Sequence, residues 1–247
     1  MGLAAGDPVG FARAWVYRVH LEWIVKTEVP LEPGQYYHLF NRGVNRTDIF
    51  PEERNFWYFM QLYTKHLAPL VDTFAYCLMR NHFHYLVRIR ASRRELNPRG
   101  LGDPAGLCTH SRDLRGLQDP VGLRSIDRRM VVQAVSNWLN AYAKAINKAY
   151  ERTGPLFEHR LGRRAITSDR YFATLVQYIH YNPQKHGFEK DYRNWFYSSY
   201  RALLSDSYTL IERDEVLGWF GGREALREFH SSPADDIAIG AFVRDDT

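Results

Sequence analysis

The alternation of apolar and polar residues divides the chain into short strands and amphipathic helices. Residues 35–41, QYYHLFN, read as a strand, followed by a turn at Arg42–Thr47 containing Gly43 and Asn45. Residues 52–68 place apolar side chains at 56, 59, 60, 63 and 67, one face of a helix, with acids in its first turn. Pro69 ends that helix. The β-rich runs Leu70–Met79 and His82–Ile89, separated only by Arg80 and Asn81, predict a β-hairpin. Residues 126–152 return to helical spacing, apolar at 131, 135, 138, 139, 142 and 146, and stop at Gly154-Pro155. Gly162–Thr167 reads as a short strand. Ser168 is a suitable N-cap for a helix through Tyr171, Leu175 and Tyr178 to Asn182, where Pro183 and Gly187 are expected to end it. Residues 212–230 predict a last helical region, split in two by Gly221-Gly222.

Two stretches fall outside this pattern. Residues 1–33 read as an appendage in which Trp15, Tyr17, Val19, Leu21, Trp23 and Val25 alternate with polar residues, as in a strand with one wet face. Residues 96–123 hold five Gly, three Pro and three Asp, and repeat RGLGDPAGL (99–107) as RGLQDPVGL (115–123). Two copies sixteen residues apart are too few and too short for a solenoid, so the segment reads as a mobile inserted loop.

Composition adds charge to this outline. The 247 residues carry a net of +5 and 15% aromatics, which suits one folded domain with appendages. The charge is segregated. From Leu203 to Thr247 there are 4 Arg and 10 acids, a net of −6, so residues 1–202 carry +11. A basic, aromatic-rich body with an acidic tail suggests a phosphate-bearing partner; a solvated basic surface is the plainer alternative. No apolar run approaches the roughly 18 residues of a membrane span, and the N-terminal residues lack a signal pattern. Cys77 and Cys108 have no paired spacing, which argues against a disulfide scaffold or a cysteine zinc site and makes a reducing cytoplasm the expectation.

Two local patterns carry chemistry. His82 and His84 flank Phe83 on a strand, so both imidazoles share one face and could hold one divalent metal, while Phe83 turns to the other face. Two half-buried histidines in an aromatic strand are the plain alternative. Tyr178 and Asn182 lie four apart on a helix and share a face, whereas His180 points elsewhere. Here the plain alternative is a packing aromatic and a helix-end amide. His38, on the first strand, reads as structural, and Trp195, Tyr197 and Tyr200 as core.

In order along the chain stand NRG (41–43), AYCLMRNHFH (75–84), GPLFEHR (154–160), YIHYNP (178–183) and WFYSSY (195–200). With the YHLFNRG opening (37–43), this set resembles the REP-associated tyrosine transposases, single-tyrosine members of the HUH endonuclease superfamily, over about residues 34–203. Residues 215–230 look like a C-terminal extension carried by some relatives. The first 33 residues have no counterpart, and the loop 96–123 is longer than the connection such a family uses. The resemblance implies an α+β fold, a ferredoxin-like sandwich with a central antiparallel sheet and helices on one face, plus the acidic C-terminal helical extension 204–247. It implies single-stranded DNA with hairpins as partner and nicking and rejoining through a 5′-phosphotyrosine. In that reading Tyr178 is the nucleophile, His82, His84 and Asn182 hold a divalent metal, Mg²⁺ or Mn²⁺, and Arg42 and Arg160 contact DNA. A monomer and a homodimer are both compatible. A non-catalytic or domesticated hairpin-binding protein, and a small-molecule metallohydrolase, are the competing readings.

Overall fold

The computed structural model describes residues 29–93, 125–158 and 161–231. The chain divides into Met1–Pro30 and Leu31–Thr247. The strand expected at 15–25 and the insert 96–123 lie outside the described residues.

In the second unit, β1 (Tyr36–Arg42), β2 (Val71–Met79), β3 (His82–Ile89) and β4 (Gly162–Ala165) form one antiparallel sheet, ordered β2-β3-β1-β4. Helix α1 (Glu53–His66) separates β1 from β2, and α2 (Arg128–Ala149) separates β3 from β4. This βαββαβ order with β1 and β3 central is the ferredoxin-like arrangement. Helix α3 (Asp169–Lys185) follows β4, and three shorter helices complete the unit: α4 (Tyr200–Leu204), α5 (Arg213–Phe220) and α6 (Arg223–Ser231). The chain leaves β3 through Ser92 and returns at Ser125, and these two residues bridge each other.

The sheet is covered on both sides. Helices α1 and α2 share one face, as expected of the sandwich. Phe59 of α1 packs on Phe83 (5.0 Å between ring centroids) and on Trp138 of α2 (4.6 Å), and Tyr63 stacks on Tyr85 (4.5 Å). Helix α3 lies on the opposite face. Phe172, Leu175, Val176 and Ile179 join Phe74, Cys77, Met79 and Leu86 in a core that also takes in Val216 of α5 and Leu226 of α6. The alternation along β3 explains this division. Phe83 and Tyr85 turn to α1 and α2, while His82, His84 and Leu86 turn to α3.

Local chemistry accounts for the helix boundaries. The Glu52 backbone N–H donates to Asn55 Oδ1 (2.7 Å) at the start of α1, and the Tyr171 N–H donates to Ser168 Oγ (3.2 Å) at the start of α3. Pro183, expected to end α3, lies inside it instead. A proline removes its own N–H from the ladder and crowds the carbonyl four residues back, and α3 runs only two residues past it. Termination falls to Gly187 at φ +72°, with the Phe188 N–H donating to Pro183 O (2.8 Å).

The acidic C-terminal segment is tied to the sheet by charge. Arg88 donates to Glu215 (2.7 Å) and Asp72 (2.9 Å), and Arg90 to Glu212 (3.2 Å) and Asp72. Part of the charge segregation along the chain is thus internal to the fold. The segment 197–199 also runs along β2, with the Leu78 N–H donating to Tyr197 O (2.9 Å) and the Ser199 N–H to Tyr76 O (2.9 Å), which covers a sheet edge.

A buried histidine pair fastens α6 to α3. His230 Nδ1–H donates to Leu226 O (2.8 Å), leaving Nε2 as the acceptor for His180 Nδ1–H (2.8 Å). His180 Nε2 in turn meets Ser199 Oγ at 2.8 Å. Burial lowers the His230 pKa to about 4 and holds His180 well below its usual value. Both rings are neutral in the fold, but unfolded imidazoles protonate below about pH 6.5. The unfolded chain therefore binds the extra protons, and stability falls as pH drops from about 6.5 toward 4, by up to about 1.4 kcal/mol per pH unit per histidine. Urea midpoints at stepped pH are expected to fall across this window, with a shallower slope in the His180→Leu/His230→Leu double variant.

Candidate active site

The candidate site forms where the β2–β3 hairpin meets the C-terminal half of α3. Strand register assembles its sheet side. Phe40 pairs with His84 and Arg42 with His82, so these four side chains, with His38 opposite Leu86, share the face beneath α3. Gly162 of β4 lies opposite Phe40. A Cβ there would stand 2.4 Å from the Phe40 ring, so only glycine lets that ring lie across β4. Phe40 then packs against His38 (4.8 Å) and His84 (6.2 Å).

Helix α3 supplies the other side. Tyr178 lies steeply inclined to His84 (75°, 5.6 Å between ring centroids) and to His38 (86°, 6.4 Å). One turn later, Asn182 Nδ2–H donates to Tyr178 O (2.8 Å), which turns the amide oxygen away from its own helix. Asn182 and His38 are fully buried, Tyr178 and His84 are 2% exposed, and His82 is 6% exposed. Residues separated by about a hundred positions thus meet in one small buried volume.

The polar atoms are unevenly satisfied. His82 Nδ1 lies 2.6 Å from Asn81 Oδ1. An amide oxygen can only accept, so Nδ1 carries the proton and Nε2 keeps a lone pair. His84 Nε2 and His38 Nδ1 are buried without a hydrogen-bond partner, and His82 Nε2 and Asn182 Oδ1 make no hydrogen bond of good geometry, although the Asn182 amide lies close enough to His82 to favour its charged form. Buried polar atoms in folded proteins are nearly always paired, so the clustering of these atoms singles the site out. Two imidazole lone pairs and an amide oxygen form a donor set that fits a divalent cation. The set contains no carboxylate or thiolate, and no group of three or more His, Cys, Asp or Glu that could hold a metal occurs among the described residues.

The surroundings are basic. Burial lowers the His82 pKa to about 3, with His186 and Arg42 adding to the effect. Burial does the same to His38, to about 3, with Arg164 next, and pushes His84 well down. His186 sits against His82 (4.9 Å between ring centroids) and is itself lowered by burial, Lys185, Arg42 and Arg46. Lys185 Nζ stands 5.2 Å from the centre of the Tyr178 ring. The imidazoles are therefore neutral at neutral pH, as metal binding requires, while the rim favours an anion such as phosphate.

Of the residues singled out in the sequence, His82, His84, Tyr178, Asn182 and Arg42 come together here. Arg160 lies outside the described residues. His180 faces away from the site, into the pair with His230. The sequence reading missed Asn81, His186 and Lys185 and took His38 as merely structural. His38 carried one usable signal: it shares strand parity with Phe40 and Arg42.

No family model and no curated protein matches the chain. Its fold is similar to the solved structure of a REP-associated tyrosine transposase bound to a REP hairpin, at TM-score 0.49 and 12% identity, covering 76% of this chain and 90% of that one.

The donor set generates a direct expectation. Titrating Mn²⁺ into the DNA-free protein should show one bound ion by electron paramagnetic resonance and raise the melting temperature. His84→Ala should weaken binding at least about tenfold, as loss of a direct ligand must exceed the effect of a supporting contact.

Proposed function

We propose that this chain is a metal-dependent enzyme that nicks and rejoins single-stranded DNA at hairpins, with Tyr178 as nucleophile. The observation that carries this reading is the convergence of Tyr178 with the Nε2 atoms of His82 and His84 and the Asn182 amide oxygen, which form no hydrogen bond of good geometry, among basic side chains. The hairpin substrate follows from the motif resemblance of YHLFNRG, NHFH and YIHYNP.

The chemistry is phosphoryl transfer to a phenol. Tyr178 oxygen attacks a DNA phosphorus in line, and the bond to the 3′-oxygen breaks. Tyr178 gives up its proton, the departing 3′-oxygen takes one up, and a 5′-phosphotyrosine remains. The new ester keeps the energy of the old one, so the step needs no ATP and reverses onto another 3′-hydroxyl. A phenol with a pKa near ~10 is a weak nucleophile at neutral pH, so the phosphate must be made more electrophilic. A Mg²⁺ or Mn²⁺ ion held by His82, His84 and Asn182 would polarise the phosphate and offset charge in the transition state. Arg42 and Lys185 supply further positive potential at the same site.

Tyr178 is 2% exposed, so a phosphodiester cannot reach its oxygen in this packing. Attack requires the side chain to turn outward. Among the contacts it would leave are the rings of His38 and His84 and the Lys185 ammonium. The helix itself stays anchored through His180 on its opposite side.

Incubation with a labelled single-stranded hairpin and Mn²⁺ is expected to yield a covalent protein–DNA adduct, absent in Tyr178→Phe and in metal-chelated samples, and strongly reduced in His82→Ala. Cleavage without an adduct would sink the tyrosine mechanism. Tight hairpin binding with neither adduct nor cleavage would assign the protein to non-catalytic binding.

A further inference from the structure

Beside the candidate metal ligands lies a third imidazole with no role in the reading above. His38 is fully buried on the central strand β1. Its Nε2 lies 2.9 Å from His84 Nδ1. The two rings are nearly parallel, 22° apart. His38 is hemmed in by Phe40 on one side and the edge of Tyr178 on another.

A contact of this length between two neutral imidazoles contains one proton, carried either by His84 Nδ1 or by His38 Nε2. The choice decides what His84 can do. If His38 donates, His84 Nδ1 accepts, its proton sits on Nε2, and Nε2 has no lone pair for a cation. If His84 donates, its Nε2 lone pair faces the site and His38 must carry its own proton on Nδ1. His82 has a simpler partner, because Asn81 Oδ1 can only accept. The two ligand imidazoles are therefore oriented by different devices, an amide for His82 and a second imidazole for His84.

We infer that His38 is a positioning residue that holds His84 in its Nδ1–H tautomer and so keeps Nε2 open to a divalent cation. The inference rests on the metal-site reading of His82, His84 and Asn182. A ligating histidine commonly donates its other ring N–H to a fixed acceptor, and loss of that acceptor typically costs metal affinity without touching the metal. The arrangement also links the two orphan atoms. His84 Nε2 gains a partner from the cation, and His38 Nδ1 is left as the one buried donor whose proton marks the working tautomer.

Two substitutions and one spectrum test this. Glutamine can place its amide oxygen near the position of His38 Nε2 and accept from His84, whereas leucine cannot accept. With Mn²⁺ alone as the probe, His38→Leu is expected to bind about 10- to 100-fold more weakly and His38→Gln within about threefold of the parent. Circular dichroism confirms folding of both. A purely structural histidine would not separate the two variants in this way. In the parent protein loaded with Mg²⁺, two-bond ¹H–¹⁵N correlation should show His38 protonated on Nδ1, which decides the matter even if His38→Leu fails to fold. Equal Mn²⁺ affinity of parent and His38→Leu, or a proton on His38 Nε2 in the Mg²⁺-loaded protein, would overturn the positioning role alone. Absence of Mn²⁺ and Mg²⁺ binding by the parent would overturn the metal site itself, and the positioning role with it.

Discussion

The antiparallel register between β1 and β3 is the constraint on which the site depends. Side chains along a strand alternate with period two, so a slip of one residue would exchange the two faces of the sheet. In the observed register His38, Phe40 and Arg42 stand on the same side as Leu86, His84 and His82. The register is pinned at both ends: the Gly43 N–H donates to Asn81 O (2.8 Å) and the Gly34 N–H to Ile89 O (2.7 Å). It is also enforced by what turns the other way. Phe83 and Tyr85 turn to Phe59, Tyr63 and Trp138, the contacts that a one-residue slip would give up. The apolar face thus dictates where the imidazoles of the opposite face lie.

That opposite face carries a cost. Each buried donor or acceptor left unpaired costs roughly 1–3 kcal/mol. His38, His82, His84 and Asn182 contribute four such atoms within one volume. The aromatic layer beneath α1 and α2, and the core beneath α3, α5 and α6, offset that cost. The protein separates the two tasks spatially. His180 and His230, with Ser199, form a chain of donors and acceptors that anchors α3, whereas each histidine on the sheet keeps one ring nitrogen without a well-formed hydrogen bond. One helix therefore presents a satisfied polar face and an unsatisfied one, two residues apart.

Electrostatics follows a similar division. The +11 of residues 1–202 suggested a single basic surface for a phosphate-bearing partner. The fold uses some of that charge internally, since Arg88 and Arg90 are paired with Asp72 and with Glu212 and Glu215 of the acidic segment. The positive charge felt at the imidazoles comes from other residues, Arg42, Arg46, Arg164 and Lys185. The acidic segment thus acts as the counter-charge of one sheet end and leaves the opening near Tyr178 basic.

Much of this was legible in residue order. Period-two and period-3.6 patterns located the strands, α1, α2 and the split helices near Gly221-Gly222, because those elements each bury one face and their patterns are local. The sharing of a face by His82 and His84, and by Tyr178 and Asn182, was equally local. Pro183 misled, because a proline's effect depends on whether the surrounding fold can spare one N–H, and here the packing of α3 carries the helix past it. The placement of helices on both faces of the sheet, the recruitment of Asn81 and His186, and the conversion of His38 from a strand residue into the partner of His84 could not be read along the chain. Each depends on which strand lies beside which and in what register, a property of long-range pairing that local periodicity does not encode.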